Sequence, residues 1–324
     1  MVRLCAWGRL VKKSNAGSAM SLGAVPIRAD VVRGNLGLDL THLAQRLAVL
    51  PENAPVVAMV HGWRYAPAFG RDCPHGSILS LDPAPDDPRA ISWPRHLHLD
   101  GQRGLAIALG WQVRCGLWTA HARARSAGVA LAAIADAVAH LSPGRQLHVI
   151  AHSMGARVAL HALTHARPGT LGRMVLMAAA EGRRTAAHAM TTTAGRAARI
   201  VNVATRENDI FDAGYEWGVH LGLETSVGQG LGQDLPNWHD LWIDHPASQD
   251  RLAALGHRLP DPPRRISHWS PYLRPGGMAL YRAILDGSLS PALLPAAQPA
   301  RRWSRLFSLT PPQDGGAAAR PSRT

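Results

Sequence analysis

The sequence predicts an α/β fold, with a mostly parallel twisted sheet and helices on both of its faces. Short apolar segments without polar alternation recur along the chain, as in strands that are buried on both sides. Segments with apolar residues at helical spacing separate them, and the sequence contains no internal repeat. Strands that alternate with helices in this way form a parallel sheet covered on both faces.

The predicted elements alternate from the first strand to the last helix. Residues 25–32 are expected to form an opening strand, and residues 38–50 an amphipathic helix. Later strands are predicted at residues 56–60, 105–109, 147–150, 174–177 and 200–204. Later helices are predicted at residues 128–141, 156–166 and 277–285.

One domain is predicted over residues 25–287, with two insertions that form its rim. The insertion at about 66–104 is rich in Pro, Asp and His, and the one at about 210–262 is long and Trp-bearing. Long irregular segments in compact domains usually carry function. Both follow sheet strands, at the edge where open α/β sheets bind ligands.

The two ends of the chain have a different composition from this domain. Residues 1–24 show no periodicity and are expected to be a flexible N-terminal extension, with Met20 as an alternative translation start. Residues 288–324 are rich in Pro, Ala and Arg and are expected to be a disordered tail.

Composition narrows the function classes. The formal net charge is +13, but it comes almost entirely from scattered arginines and no nucleic-acid-binding motif is present, so no nucleic-acid partner is expected. No apolar run reaches the length of about 18 residues that a membrane span needs. Cys5, Cys73 and Cys115 are odd in number and far apart, which favours a reducing cytoplasm. The sequence indicates no particular oligomeric state.

Metal-binding side chains also occur in the first insertion. They lie in Cys73-Pro74-His75 and His96-Leu97-His98. This spacing fits no zinc module, so we expect no metal and no other cofactor.

Residues 147–155 carry the clearest functional signal. An apolar strand runs into Ala151-His152-Ser153-Met154-Gly155, and a helical pattern follows at once. A serine on a sharp strand-to-helix turn has its hydroxyl exposed above the sheet. Small residues are needed two positions before and after it, where Ala151 and Gly155 stand. The alternative is a buried serine that only caps the helix.

This segment resembles the nucleophile elbow of the α/β-hydrolase superfamily in an Ala-x-Ser-x-Gly form. Ala151 stands where the superfamily pattern usually has Gly. The stretch from Ser267 to Gly276 is also similar to the tail of a group of bacterial α/β-hydrolases with no assigned substrate. The resemblance covers about residues 50–287, and it implies Ser153 as nucleophile and a triad in the chain order Ser, acid, His.

Chain order then selects the base and the acid. His268 lies in a loop just before the last helix, whereas His239, His245 and His257 come too early. Asp209, in the turn after the strand at 200–204, is the predicted acid. Three other carboxylates remain open as alternatives: Glu181, Glu207 and Asp212.

The resemblance also implies an oxyanion hole made of two backbone N–H groups. One belongs to Met154, the residue after the nucleophile. The other is expected from Trp63, because His61-Gly62 ends an apolar strand upstream and Gly62 allows the backbone to turn. Four elements thus follow one another in the order that the superfamily uses.

The predicted function is that of a serine esterase: cleavage of a carboxylic ester, or a related small-molecule acyl compound, through an acyl-enzyme intermediate. Thioester hydrolysis and acyl transfer use the same parts and remain alternatives. A non-catalytic binding protein of the same fold is a further alternative. The second insertion predicts an apolar acyl pocket through its three tryptophans, Trp217, Trp238 and Trp242.

Overall fold

The structure, a computed structural model, describes residues 25–84, 87, 89–262, 264–295 and 302–307. Within these residues one sheet has eight strands: β1 (Ile27–Val32), β2 (Asn35–Leu38), β3 (Val56–Val60), β4 (Leu105–Trp111), β5 (Leu147–His152), β6 (Leu171–Met177), β7 (Arg199–Ala204) and β8 (Trp238–Trp242). Their spatial order is β2-β1-β4-β3-β5-β6-β7-β8. Only the edge pair β1–β2 is antiparallel within this sheet, and every other neighbouring pair is parallel.

Helices cover the sheet and connect its strands. They are α1 (Leu40–Val49), α2 (Trp93–His96), α3 (Leu117–Leu141), α4 (Met154–Leu163), α5 (Arg183–Thr191), α6 (Thr193–Ala197), α7 (Asp209–His220), α8 (Pro246–Ala254), α9 (Ser270–Leu273), α10 (Gly277–Asp286) and α11 (Ser304–Phe307). Short 3₁₀ turns occur at Gly70–Asp72, Pro74–Gly76, Arg206–Asn208, Val227–Gln229 and Pro291–Leu293.

The hydrophobic core consists of two layers, one on each face of the sheet. Along β3, Val56, Ala58 and Val60 belong to the first layer, and Val57 and Met59 to the second. Successive strand residues point to opposite faces, so an unbroken apolar strand supplies both layers. Helices α1, α3 and α4 pack on the first layer and α10 on the second. The predicted fold class, α/β with a mostly parallel sheet and helices on both faces, is confirmed.

Among the elements that differ from the sequence prediction, three concern the sheet and its longest helix. The first is the β1–β2 hairpin, which turns at Arg33 and Gly34, both at positive φ, as a tight hairpin turn requires. The second is α3, which begins at Leu117 rather than at residue 128. The third is β8, which lies inside the segment 210–262 that was expected to be irregular. It is an edge strand of five residues, with polar His239 and Asp240 in its middle.

The predicted flexible ends are described only in part. Residues 288–295 are ordered against the body, with Leu289 buried in the second core layer, and residues 304–307 form α11. Residues 1–24, with the alternative start at Met20, and the rest of the tail lie outside the described residues.

Among the described helices, α3 is the one that is long and apolar enough to cross a membrane. Its 25 residues meet the length and hydropathy that a membrane span requires. Of its most apolar 18-residue stretch, 56% is buried inside the protein. Helix α4 packs along it so closely that a Cβ at Gly128 would lie 2.6 Å from the Cβ of His161. Helix α3 is thus a core helix of this fold as well as an apolar one.

Candidate active site

Ser153 occupies the sharp turn between β5 and α4. Its backbone has φ 55° and ψ −124°, a region that costs a non-glycine residue about 1–3 kcal/mol. Three hydrogen bonds hold it there: its N–H donates to Met177 O at 2.9 Å, and its carbonyl accepts from Ala156 N–H at 3.0 Å and Ala180 N–H at 3.1 Å. The turn therefore presents the side chain at the carboxyl edge of the sheet.

Two glycines allow the neighbouring backbones to meet at this turn. A Cβ on Gly155 would lie 2.5 Å from Val60 O and 2.7 Å from His61 O. A Cβ on Gly62 would lie 2.8 Å from the Cβ of Ser153. Both positions exclude any side chain, because real Cβ contacts are longer than 3.0 Å. The small residue that the sequence analysis required two positions after the serine, Gly155, is thus required by backbone contact.

The Ser153 hydroxyl contacts the ring of His268. Ser153 Oγ and His268 Nε2 are 2.8 Å apart, and His268 Nδ1 lies 2.7 Å from Oδ1 of Asn208. An amide oxygen only accepts, so Nδ1 carries the proton and Nε2 is free to accept from the serine. The three side chains form a hydrogen-bonded chain from a hydroxyl through a neutral imidazole to an amide.

The residue that accepts from His268 Nδ1–H is Asn208, and not Asp209 as predicted. The Asp209 carboxylate pairs with Arg206 at 3.0 Å and accepts from the N–H of Trp303 at 2.7 Å. Adjacent residues at a helix start point about 100° apart, so only one of the two can face His268. The prediction had the right turn and missed the side-chain direction by one position.

The alternative acids Glu181 and Glu207 are bound elsewhere. Glu207 forms a buried ion pair with Arg274 at 2.6 Å and also accepts from Ser270. Glu181 forms a buried ion pair with Arg157. Neither carboxylate contacts His268, and both charges are matched by arginines inside the protein, so their role is structural.

Asp212, the remaining alternative, lies one contact further from His268. Its Oδ1 accepts from the side-chain N–H₂ of Asn208 at 2.9 Å. The carboxylate is buried, and burial raises its pKa from 3.8 to about 7, although the Arg206 guanidinium lowers it. The polar chain therefore ends on a carboxyl group.

The loop that carries His268 is held from two sides. The backbone carbonyl of His268 accepts from His152 Nε2 at 2.9 Å. The N–H of Ser267 donates to Glu207 O at 3.0 Å. Burial lowers the pKa of His152 to about 4 and that of His268 well below 6.5, where the neighbouring His152 also contributes. Sequence reasoning had given His152 no role, although it lies directly before Ser153 in the chain.

The loop after β3 is ordered by His61. Its ring is fully buried, which lowers its pKa to about 3, so the imidazole is neutral. Nδ1 donates to Gly62 O at 2.9 Å, and Nε2 accepts from the N–H of Trp111 at 3.1 Å. Carbonyl and N–H point in opposite directions across a trans peptide. By holding the Gly62 carbonyl, His61 therefore also sets the direction of the Trp63 N–H.

Trp63 and Met154 line the same cavity as Ser153. Met154 is the first residue of α4, so its N–H has no partner within the helix. Trp63 is anchored through its side chain, whose Nε1–H donates to Cys115 O at 2.9 Å. The two residues whose amides sequence analysis singled out thus lie at the cavity beside the serine.

The cavity beside Ser153 has a volume of about 270 Å³ and mainly apolar walls. Besides the polar groups above, it is lined by Trp63, Leu117, Met154, Ala178, Ala180, Ile210, Phe211, Gly214 and Tyr215. Phe211 also covers the His268 ring, with ring centroids 4.7 Å apart. An apolar group fits this space better than a charged one.

The three tryptophans predicted for this pocket are not part of it. Trp238 and Trp242 are buried on β8, and Trp217 is 69% exposed on α7. The apolar walls come instead from Trp63 after β3, from the segment after β6, and from the starts of α3, α4 and α7. Residues 210–262 thus contribute to the pocket through the start of α7, with Ile210, Phe211, Asp212, Gly214 and Tyr215.

The metal-binding side chains of the first insertion have separate surroundings. His75 contacts Asp30 at 2.6 Å, and His98 contacts Arg282 at 2.7 Å. Over the described ranges, no group of three or more His, Cys, Asp or Glu side chains is arranged to hold a metal ion.

Comparison with known proteins gives matches only among solved structures. No protein-family model matches the sequence, and no curated protein matches it significantly. Of solved structures, 11 chains match. One of them is MenH from S. aureus, with 9% sequence identity, coverage of 72% of this chain and 94% of that chain, and a TM-score of 0.35.

Proposed function

We propose that this chain is a serine hydrolase of the α/β-hydrolase superfamily that cleaves a carboxylic ester, or a related acyl compound, through an acyl-enzyme. The observation that carries the proposal is the 2.8 Å contact between Ser153 Oγ and His268 Nε2. The serine stands on a strained turn at the mouth of an apolar cavity, and the imidazole is in the tautomer that accepts its proton.

In the first half-reaction, the Ser153 hydroxyl gives its proton to His268 Nε2 while Oγ attacks the substrate carbonyl. The N–H groups of Trp63 and Met154 stabilise the negative charge that develops on the carbonyl oxygen. The protonated His268 then donates to the leaving alkoxide, so that an alcohol departs and the acyl group stays on Ser153.

In the second half-reaction, water takes the place of the alcohol. His268 removes a proton from the water as it attacks the acyl carbon, and then returns that proton to Ser153 Oγ as the acid leaves. Asn208 holds the ring through its Nδ1–H in both halves. A triad with Asn in third place is chemically competent, since papain-like proteases use Cys-His-Asn.

The walls of the cavity favour an apolar acyl group of modest size. A volume of about 270 Å³ accommodates a short or medium chain, and among the described residues no charged side chain except the buried Asp212 lines it. A panel of p-nitrophenyl esters of increasing chain length tests this directly. We expect kcat/KM to rise from acetate to medium-chain esters, and a preference for charged, very short acyl groups would contradict the proposal.

Labelling with a fluorophosphonate probe tests the nucleophile. The wild-type protein should be labelled covalently, and Ser153→Ala should not. Ser126→Ala is the matched control, because Ser126 is exposed on α3 away from the cavity. An unlabelled wild type, or equal labelling of Ser153→Ala, would leave a binding protein as the better interpretation.

A further inference from the structure

The third member of the proposed triad poses a chemical problem. Asn208 is neutral, and its side chain has both an acceptor and a donor end that could face His268. Only the acceptor end, Oδ1, keeps the proton on Nδ1 and leaves Nε2 free for the serine. The donor end would require the opposite tautomer, in which Nε2 carries a proton and cannot accept from Ser153.

We propose that Asp212 is the positioning residue that resolves this problem: its carboxylate fixes the Asn208 amide with Oδ1 toward His268 and supplies the negative charge that the triad lacks. This inference rests on the proposed function of Ser153 and His268. An ionised carboxylate only accepts hydrogen bonds, so it binds the N–H₂ end of Asn208 and excludes the flipped amide. A protonated Asp212 could donate to Oδ1 and would permit the flip.

The surroundings of Asp212 keep it in this role. Oδ1 also accepts from Ser226 Oγ at 3.3 Å, while Oδ2 is buried with no hydrogen-bond partner among the described residues. A Cβ on Gly228 would lie 2.2 Å from Oδ2, so this glycine makes room for the carboxylate. A buried carboxylate with one oxygen unpartnered is costly, which argues that the site retains it for function.

Charged groups around Asp212 act in opposite directions. Arg206, from the turn after β7, and Arg302, from the segment before α11, favour its ionised form. Asp209 and Glu216, both on α7, disfavour it. The carboxylate forms no direct ion pair within the described part of the chain, so its charge is directed mainly at the amide of Asn208 and the ring beyond it.

Exchange of the two side chains tests the proposal. Asp212→Asn should lower kcat for p-nitrophenyl butyrate at pH 8 by at least about tenfold, up to the roughly 10⁴-fold that a wrong tautomer costs in a serine protease. The double variant Asn208→Asp, Asp212→Asn should recover most of this loss, because a carboxylate at 208 accepts from Nδ1–H in either orientation. Asp234→Asn, the same change at an exposed residue outside the cavity, is the matched control, and it should stay near wild type.

A nitrogen NMR measurement separates failure of this inference from failure of the proposed function. The ring nitrogens of His268, identified by their loss in His268→Gln, should show the Nδ1–H tautomer in the wild type and in the double variant. Asp212→Asn should show a mixture with the Nε2–H tautomer. An unchanged tautomer and unchanged kcat in Asp212→Asn would overturn the role of Asp212. A wild type without esterase activity would refute the proposed function, and the tautomer would still decide whether Asp212 positions Asn208.

Discussion

The two halves of the candidate site are built by different means. On the nucleophile half, residues 61–63 and 151–155 are held by backbone contacts so close that Gly62 and Gly155 admit no side chain. On the relay half, residues 206–212 place several buried polar side chains on one turn and one helix start, where direction decides which of them faces His268. A backbone requirement leaves a mark in the sequence, whereas a side-chain direction does not.

The largest expected effect is at His268, where the two halves meet. His268→Gln should lower kcat by roughly 10⁴–10⁶-fold, because the serine loses its base while the fold is kept. Steady-state hydrolysis of p-nitrophenyl butyrate measures this. His165→Gln, an exposed change beyond α4, is the control. A loss below about tenfold in His268→Gln would remove the imidazole from the mechanism.

On the relay half, substitutions at two adjacent residues test which side chain supports His268. Asn208→Leu should lower kcat by about 10²–10⁴-fold, because nothing then accepts from His268 Nδ1–H. Asp209→Asn should lower it by less than about tenfold, because Asp209 faces Arg206 instead. Rate measurements on folded protein, checked by circular dichroism, decide between them. The reverse ranking would restore Asp209 as the acid.

On the nucleophile half, the comparison predicts a stability effect. Gly155→Ala should destabilise the protein by at least about 2 kcal/mol, because its Cβ would meet the Val60 and His61 carbonyls. Gly214→Ala on α7 should be stabilising by about 0.5–1 kcal/mol, since a Cβ there meets nothing within 4 Å. Urea denaturation of both variants measures the difference. Equal stability of the two would contradict the packing argument.

The ionised Asp212 carboxylate should lower the stability of the folded protein above neutral pH, although it supports the proposed function. Its folded pKa of about 7 lies above the ordinary 3.8, so the folded state holds this proton more tightly than the unfolded state. The stability of the wild type should therefore fall as pH rises from about 4 to about 7, and Asp212→Asn should be free of this loss. We expect Asp212→Asn to be more stable than the wild type by about 1–3 kcal/mol at pH 8 and equal to it near pH 4. A less stable variant at pH 8 would indicate a structural carboxylate.

The smallest predicted effect is on the pH profile. Burial lowers the pKa of His268 well below 6.5, so the base is already unprotonated at neutral pH. The pKa of Asp212, raised by burial to about 7, should then set a rise of roughly tenfold in kcat/KM between pH 6 and 8. Asp212→Asn should lack this rise. If kcat/KM instead rises in one step near pH 6.5, and the rise persists in Asp212→Asn, the titrating group is His268.

Much of the fold was predictable because burial on both faces leaves an unbroken apolar pattern. Strand β3 matches its predicted range of 56–60, and β5 and β7 differ from theirs only at the ends. Strand β8 was missed because an edge strand with polar central residues lacks that pattern. The β1–β2 hairpin was missed because Arg33-Gly34 is not one of the residue pairs that usually mark such a turn.

The sequence by itself determined the α/β class, the turn at Ser153, the loop at Gly62 and the position of His268, because each depends on local backbone geometry or on order along the chain. Tertiary structure alone decided that Asn208 faces the imidazole, that Asp212 stands behind it, and that Phe211, instead of any of the three predicted tryptophans, lines the cavity and covers the His268 ring. Those outcomes depend on how α7 is rotated against the loop of His268. Packing between segments about 60 residues apart sets that rotation.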